Sequence, residues 1–304
     1  MRRKIEYIGV QALLSVSRLM PKSLLYALST QFVRHSYAPE SRRRRRVLKH
    51  LHIAFPDRCE EELEAIAEEF MRQKAQFYVE ILLMLTDRFD YEGAVENLAE
   101  ARERIEALKA RNERGMLFLV SHYGNWEFLA QFFAINGLPG TLVAKEQRKN
   151  PLIDEKIIQP YRRRFGHRVI ERKGALRSIA RILKNKEGVG MHIDQMIPPP
   201  NGVAIDFFGR PAYASKSMAQ LKLRFDPLIV PIFAVRRGRE RFRIEILDPV
   251  EYTAPEAKEP EEKIRRMTRR YSEILEEQIR KEPAQWEWNY QRWRGTEEIV
   301  NSEE

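Results

Sequence analysis

Cysteine is nearly absent from this 304-residue chain. Cys59 stands alone, which excludes an internal disulfide and suits the cytosolic side of a membrane. Histidines number six and are scattered, so with a single thiol no structural zinc site is expected. A long apolar run is missing too. A spanning helix needs about 20 mostly apolar residues, and the stretch from Ile5 to Met20 is shorter and is interrupted by Glu6, Gln11 and Arg18. Its basic start, Arg2-Arg3-Lys4, is like that of a signal peptide, but no convincing small-residue cleavage site follows. Neither low-complexity tracts nor an internal repeat stands out.

Charge is plentiful. Lysine and arginine total 54 against 44 acidic side chains, a net +10, and 32% of residues are charged against 43% hydrophobic. This describes a globular protein, long enough for one large domain or two small ones. The basic excess favours anionic partners such as phospholipid head groups, acidic proteins, phosphorylated metabolites or nucleic acid. Five consecutive arginines, Arg42 to Arg46, read either as a solvated helix face or as contact with anionic head groups. Nucleic acid is not expected, since no aromatic residues interleave that run and no nucleic-acid motif accompanies it.

The first 95 residues read as helical. Ile5, Ile8, Ala12, Val16 and Leu19 share a helical face, which fits either an interfacial helix or one packed on the core. Pro21 closes that helix, and a second follows from Lys22 to about His35. A long helix from Cys59 to about Leu85 is acidic at its start and apolar almost all round at its end. After Glu96 to Arg114, another charged helix, the grammar changes to alternation. Strands are predicted at 116–120, 141–144, 168–171, 189–193, 204–208, 228–235 and 242–247, and helices at 126–136, 151–165, 175–185 and 216–224. A charged helix from about 257 to 281 ends at Pro283. Such alternation implies an α/β domain over 96–304 with a mostly parallel sheet flanked by helices, whose ligands bind beyond the carboxyl ends of the strands.

His122 and Asp194 both fall just past a predicted strand end. Around His122 the chain reads Val120-Ser121-His122-Tyr123-Gly124-Asn125-Trp126-Glu127, between an apolar strand and an apolar helix. Glu127 lies in the first helical turn, where a carboxylate is stabilised. If the chain folds back there, Glu127 can orient one imidazole nitrogen and leave the other free as a base. Ser121 points to the opposite strand face and is not expected to be a nucleophile. Asp194 is read as holding an arginine or the catalytic loop, and His192 as a core residue.

His-Tyr-Gly-Asn-Trp-Glu resembles the His-x4-Asp/Glu motif of glycerolipid acyltransferases, and more closely the late lauroyl/myristoyl acyltransferases of lipid A biosynthesis. The resemblance covers nearly the whole chain. It extends upstream to Arg45-Arg46-Val47-Leu48-Lys49-His50-Leu51 and Ala54-Phe55-Pro56. Downstream it takes in Asn150-Pro151-Leu152-Ile153-Asp154, Arg172-Lys173-Gly174-Ala175, Asp194-Gln195, Phe207-Phe208-Gly209-Arg210-Pro211-Ala212 and Pro283-Ala284-Gln285-Trp286-Glu287-Trp288.

That resemblance implies a glycerolipid-acyltransferase-like fold with a helical, membrane-associating N-terminal region at the cytoplasmic face of a bacterial inner membrane. It implies acyl transfer from acyl carrier protein, or coenzyme A, to a hydroxyl of a lipid A precursor or related glycolipid. His122 would be the base and Glu127 its partner, with no metal or cofactor. Acceptor contacts are expected from Asn125, Lys145, Arg148, Asp194 and Arg210. The family's Arg-Pro before Asn-Pro is not matched by Lys145-Glu146-Gln147-Arg148-Lys149-Asn150-Pro151, and a lysine there binds only as a point charge. Two other readings keep their place. The acceptor can be glycerol phosphate, a lysophospholipid or a phosphoinositol mannoside, or the chain can be a non-catalytic basic membrane-binding protein.

Overall fold

The computed structural model describes residues 1–144, 150–171 and 174–296. The chain opens with four helices, α1 (Arg2–Leu19), α2 (Lys22–Ser36), α3 (Arg42–Ala54) and α4 (Glu60–Leu85), followed by α5 (Leu98–Arg111). Ser41 caps α3 by accepting from the Arg44 amide at 3.1 Å. The Glu62 carboxylate reaches back to the Cys59 amide at 3.0 Å and closes the start of α4, meeting two of the donors a helix N-terminus leaves open. In its second half α4 buries Ala75, Val79, Leu83 and Met84. Full burial of each large side chain contributes about 1.5–3 kcal/mol.

The amphipathic stripe of α1 does not turn inward. Ile5, Ile8, Val16 and Leu19 are exposed, as are Leu24, Leu28 and Phe32 on α2, while Leu14 and Leu25 pack inside. Among the described residues no helix is long and apolar enough to cross a membrane.

A six-stranded sheet follows, built from β1 (Met116–Val120), β2 (Gly140–Ala144), β3 (Arg168–Glu171), β4 (Gly188–His192), β7 (Leu228–Gly238) and β8 (Arg241–Ile246) in the order β3-β2-β4-β1-β7-β8. All pairings are parallel except β7 with β8. Central β1, Met-Leu-Phe-Leu-Val, is buried along its whole length, as a parallel strand covered on both faces must be. The predicted strand at 204–208 is not in this sheet. It is β5 (Gly202–Phe207), paired with β6 (Arg210–Ser215) in a separate antiparallel hairpin. Phe208 and Gly209 turn that hairpin with positive φ, the geometry that tight two-residue hairpin turns require.

Between the strands run α6 (Trp126–Ile135), α7 (Pro151–Ile153), a π-turn (Asp154–Ile158), α8 (Gln159–Arg163), α9 (Ala175–Lys184) and α10 (Ser217–Phe225), and α11 (Pro260–Lys281) comes last. The predicted helix over 151–165 is thus broken by a π-turn. The N-terminal helices share cores with the sheet: Leu25, Val79 and Leu83 pack in one cluster with Phe118, Phe128, Phe132 and Phe242.

Candidate functional site

β1 and β4 are neighbours, with Val120 opposite His192. Two residues beyond each of these stand His122 and Asp194. The Ile193 amide donates to the Val120 carbonyl at 3.0 Å and holds the two strand ends together. The His122 amide donates to Asp194 Oδ2 at 2.7 Å, and His122 Nδ1 lies 2.9 Å from Asp194 Oδ1. An ionised carboxylate only accepts, so Nδ1 carries the proton and Nε2 keeps its lone pair. Trp286 Nε1 donates to Asp194 Oδ2 at 3.0 Å. The carboxylate is therefore held by three donors.

Burial pushes the His122 imidazolium down, but the charge and hydrogen bond of Asp194 outweigh it, and the pKa ends above its ordinary value. For Asp194, burial pushes up; the charge and hydrogen bond of His122 reverse this and hold it well below the usual carboxylate range. The imidazole is also clamped by rings, with Trp126 edge-on at 4.9 Å, His192 at 4.4 Å and Tyr290 parallel at 6.3 Å between centroids. His192 is half-buried at the cavity wall rather than sealed in the core. Burial, reinforced by the charge of His122, pushes it down to about 3, so it stays neutral.

Gly124 makes the turn possible. Its φ is +58°, and a Cβ there would lie 1.9 Å from the Ala234 carbonyl oxygen, a clash no side chain escapes. Its amide donates to the Gln285 carbonyl at 2.9 Å, and the Glu287 amide donates to the His122 carbonyl at 3.0 Å. The segment from Gln285 to Tyr290 is thus strapped over the dyad.

The sequence-predicted residues divide. Glu127 does lie in the first turn of α6 and lines the same cavity as His122, but its carboxylate accepts from Arg162 Nη2 at 3.0 Å. The carboxylate on the imidazole is Asp194. Asn125 is fully buried behind the site: its Oδ1 caps α6 at the Phe128 amide (2.9 Å), and its Nδ2 donates to Glu80 at 2.7 Å. Arg210 is exposed at the start of β6 and faces a different cleft. Lys145, Arg148, Arg172 and Lys173 lie outside the described residues. Trp286 and Tyr290 were not singled out for the dyad, and Arg162 was a candidate only for anion binding, within a run read as a solvated face. A guanidinium in a triple-arginine run looks solvated, and the two aromatic rings come from about 160 residues further along the chain.

The cavity beside the dyad measures about 280 Å³. Phe118, Val120, Leu129, Phe133, Leu142 and Ile232 line it, with His122, Glu127, Arg162 and His192. It reaches from His122, past the carboxyl end of β1, to Gly140 at the opposite end of β2. A neutral base, oriented by a buried carboxylate at the mouth of an apolar slot, can take a proton from a hydroxyl while an aliphatic chain fills the slot.

The sequence profile of bacterial lipid A biosynthesis acyltransferases matches residues 1–295. The chain is 24% identical over 290 residues to the lipid A biosynthesis myristoyltransferase of Escherichia coli (strain K12), covering 93% of this chain and 84% of the relative. It is 24% identical over 253 residues to lipid A biosynthesis acyltransferase 1 of Shigella flexneri, covering 81% and 75%. These relatives mark the chain as an acyl-transferring enzyme. It belongs to the bacterial lipid A biosynthesis acyltransferase family.

Proposed function

We propose that this enzyme moves a fatty acyl chain from an acyl carrier protein thioester to a hydroxyl of a lipid A precursor, at the surface of a membrane. The observation that carries the reading is the His122–Asp194 pair at 2.9 Å beside the apolar slot. His122 Nε2 takes the hydroxyl proton as the oxygen attacks the thioester carbon. The tetrahedral intermediate collapses, the carbon–sulfur bond breaks, and the imidazolium returns its proton to the departing thiolate. Asp194 fixes the tautomer and stabilises the imidazolium, following the orienting logic of hydrolase triads. Glu127 holds the Arg162 guanidinium at the cavity, where a fixed positive charge favours the developing oxyanion.

The exposed apolar row on α1 and α2 supports membrane association. An amphipathic surface of this kind lies in the interface rather than across the bilayer. The cytoplasmic leaflet of the inner membrane is the setting that suits a chain with one free thiol and a basic surface.

The test is transfer of a radiolabelled acyl group from acyl carrier protein to a glycolipid hydroxyl. His122→Ala should lower the rate by about 100- to 10,000-fold with an unchanged melting temperature. Near-normal transfer by that variant would refute the mechanism.

A further inference from the structure

We propose that His192 is a second catalytic residue, whose Nε2–H donates a hydrogen bond to the carbonyl oxygen of the acyl thioester and holds the oxyanion that forms there. The role rests on the acyl-transfer reading above.

His192 ends β4 and stands opposite Val120, the last residue of β1. Residues 190 and 192 share one face of their strand, and Val120, Gly190 and His192 all line the slot beside the dyad. The His192 ring lies against that of His122, with centroids 4.4 Å apart and planes tilted by 34°. Its Nε2 is buried, and among the described residues it has no hydrogen-bond partner. Buried polar atoms left in that state are uncommon and mark places where a ligand completes the bonding.

A second histidine on the same slot is used differently. His167 Nδ1 lies 3.0 Å from the Gly140 carbonyl, and its Nε2 lies 2.8 Å from the Ala130 carbonyl. Both of its nitrogens are thus occupied by backbone at the end of the slot away from the dyad. His167 braces the wall; His192 has a nitrogen to offer.

The neighbours select what that nitrogen takes. Burial and the charge of His122 keep His192 neutral, and a neutral imidazole carries one N–H and one lone pair. A carbonyl oxygen only accepts, so the tautomer that binds it has its proton on Nε2. Neutrality also suits the base. A second cation this close would oppose formation of the His122 imidazolium, whereas an N–H dipole does not. His122, His192 and Arg162 are the donors beside the base, while Phe118, Leu129 and Phe133 give the slot an apolar lining. The thioester is the polar end of an acyl chain and belongs with the polar group.

As the hydroxyl oxygen bonds to the carbonyl carbon, the C=O electron pair moves onto the carbonyl oxygen. His192 Nε2–H and the Arg162 guanidinium hold that charge without giving up a proton. Collapse re-forms the double bond and expels the thiolate, which takes the proton held by His122. His192 ends as it began.

The experiment uses the full-length protein in detergent and lauroyl-acyl carrier protein labelled with carbon-13 at the carbonyl. His192→Phe should lower kcat by about 100- to 1,000-fold, as loss of one oxyanion donor does, with KM for the acyl donor little changed. His192→Gln keeps an N–H and should recover at least about tenfold of that loss. Melting temperatures check the fold, and His192→Leu replaces the phenylalanine variant if that one unfolds. Infrared spectra of the labelled thioester bound to His122→Ala read the contact without turnover. Adding His192→Phe to that protein should move the carbonyl stretch to higher frequency. Near-parent kcat in His192→Phe, as a nitrogen satisfied only by water would give, overturns the proposal. So does a loss confined to KM, a glutamine variant no better than phenylalanine, or an unmoved carbonyl stretch, and in each case parent transfer still stands. A parent that transfers no acyl group from the carrier protein removes the acyl-transfer reading itself, and this role with it.

Discussion

Two buried carboxylates, Glu80 and Asp194, lie on either side of the turn at residues 122–125, and they are used in opposite ways. Glu80 is fully buried. Both its oxygens are taken by the Arg236 guanidinium, which grips it in a fork, and Asn125 Nδ2 adds a third bond at 2.7 Å. Arg236 is in turn tied to Gln285, whose side chain bonds the Arg236 amide and carbonyl at 2.7 and 3.0 Å. The assembly is closed: it locks α4, β7 and the start of α6 together. Asp194 is almost as buried, yet its partner His122 keeps 22% of its side chain exposed. Asp194 takes one imidazole nitrogen, and among the described residues no hydrogen bond to the other is seen. A closed ion pair braces a site; a pair with one open nitrogen can react.

The strongest way to break this comparison is Asp194→Asn. Without the carboxylate the imidazole loses its tautomer control, and transfer should fall by about 10,000-fold. The pH profile carries a separate signature. His122 is held above its ordinary value of about 6.5, and only the neutral ring is a base, so in the parent kcat/KM should rise with pH through a midpoint above about 6.5. In Asp194→Asn the largest raising influence is removed while burial remains, so any residual activity should show a midpoint below the parent's. A parent midpoint well under about 6.5 would contradict the geometry.

Glu80→Ala comes next. It leaves a buried guanidinium without its counter-charge and should cost about 3–5 kcal/mol in chemical denaturation. Where the variant is folded, the acid limb of its activity should stay where it is in the parent. A shifted limb would mean that the two carboxylates are not separable. The smallest effect expected is that of Glu127→Gln, which loosens Arg162 rather than His122. Transfer should drop by on the order of 100-fold or less, as for a misplaced contact, with the acid limb unmoved. A limb displaced as far as in Asp194→Asn would restore Glu127 as the orienting acid.

Much of this architecture was legible along the chain because it is local. Short apolar runs alternating with helical stretches produced β1 to β4, β7 and β8 near their predicted places, and the chain turns sharply after His122, at Gly124 with positive φ. The hairpin β5–β6 was half seen. The apolar pattern over 204–208 marks a strand without saying which sheet it joins, and here the strand Gly202–Phe207 pairs only with its own successor. The exposed stripe on α1 was equally ambiguous, since amphipathicity gives a face but not what covers it.

By itself, the sequence determined that an α/β domain would carry His122 past the end of an apolar strand, and that no internal disulfide would be involved. It also determined a strong basic excess. The choice of partner was tertiary. Glu127, five residues away, is drawn to Arg162, while Asp194, 72 residues away, reaches the imidazole. The reason is strand order: β4 lies beside β1 with Val120 opposite His192, so equal steps beyond the two strand ends bring residues 122 and 194 together. Adjacency in a parallel sheet arises from crossover packing, which leaves no local mark in the chain.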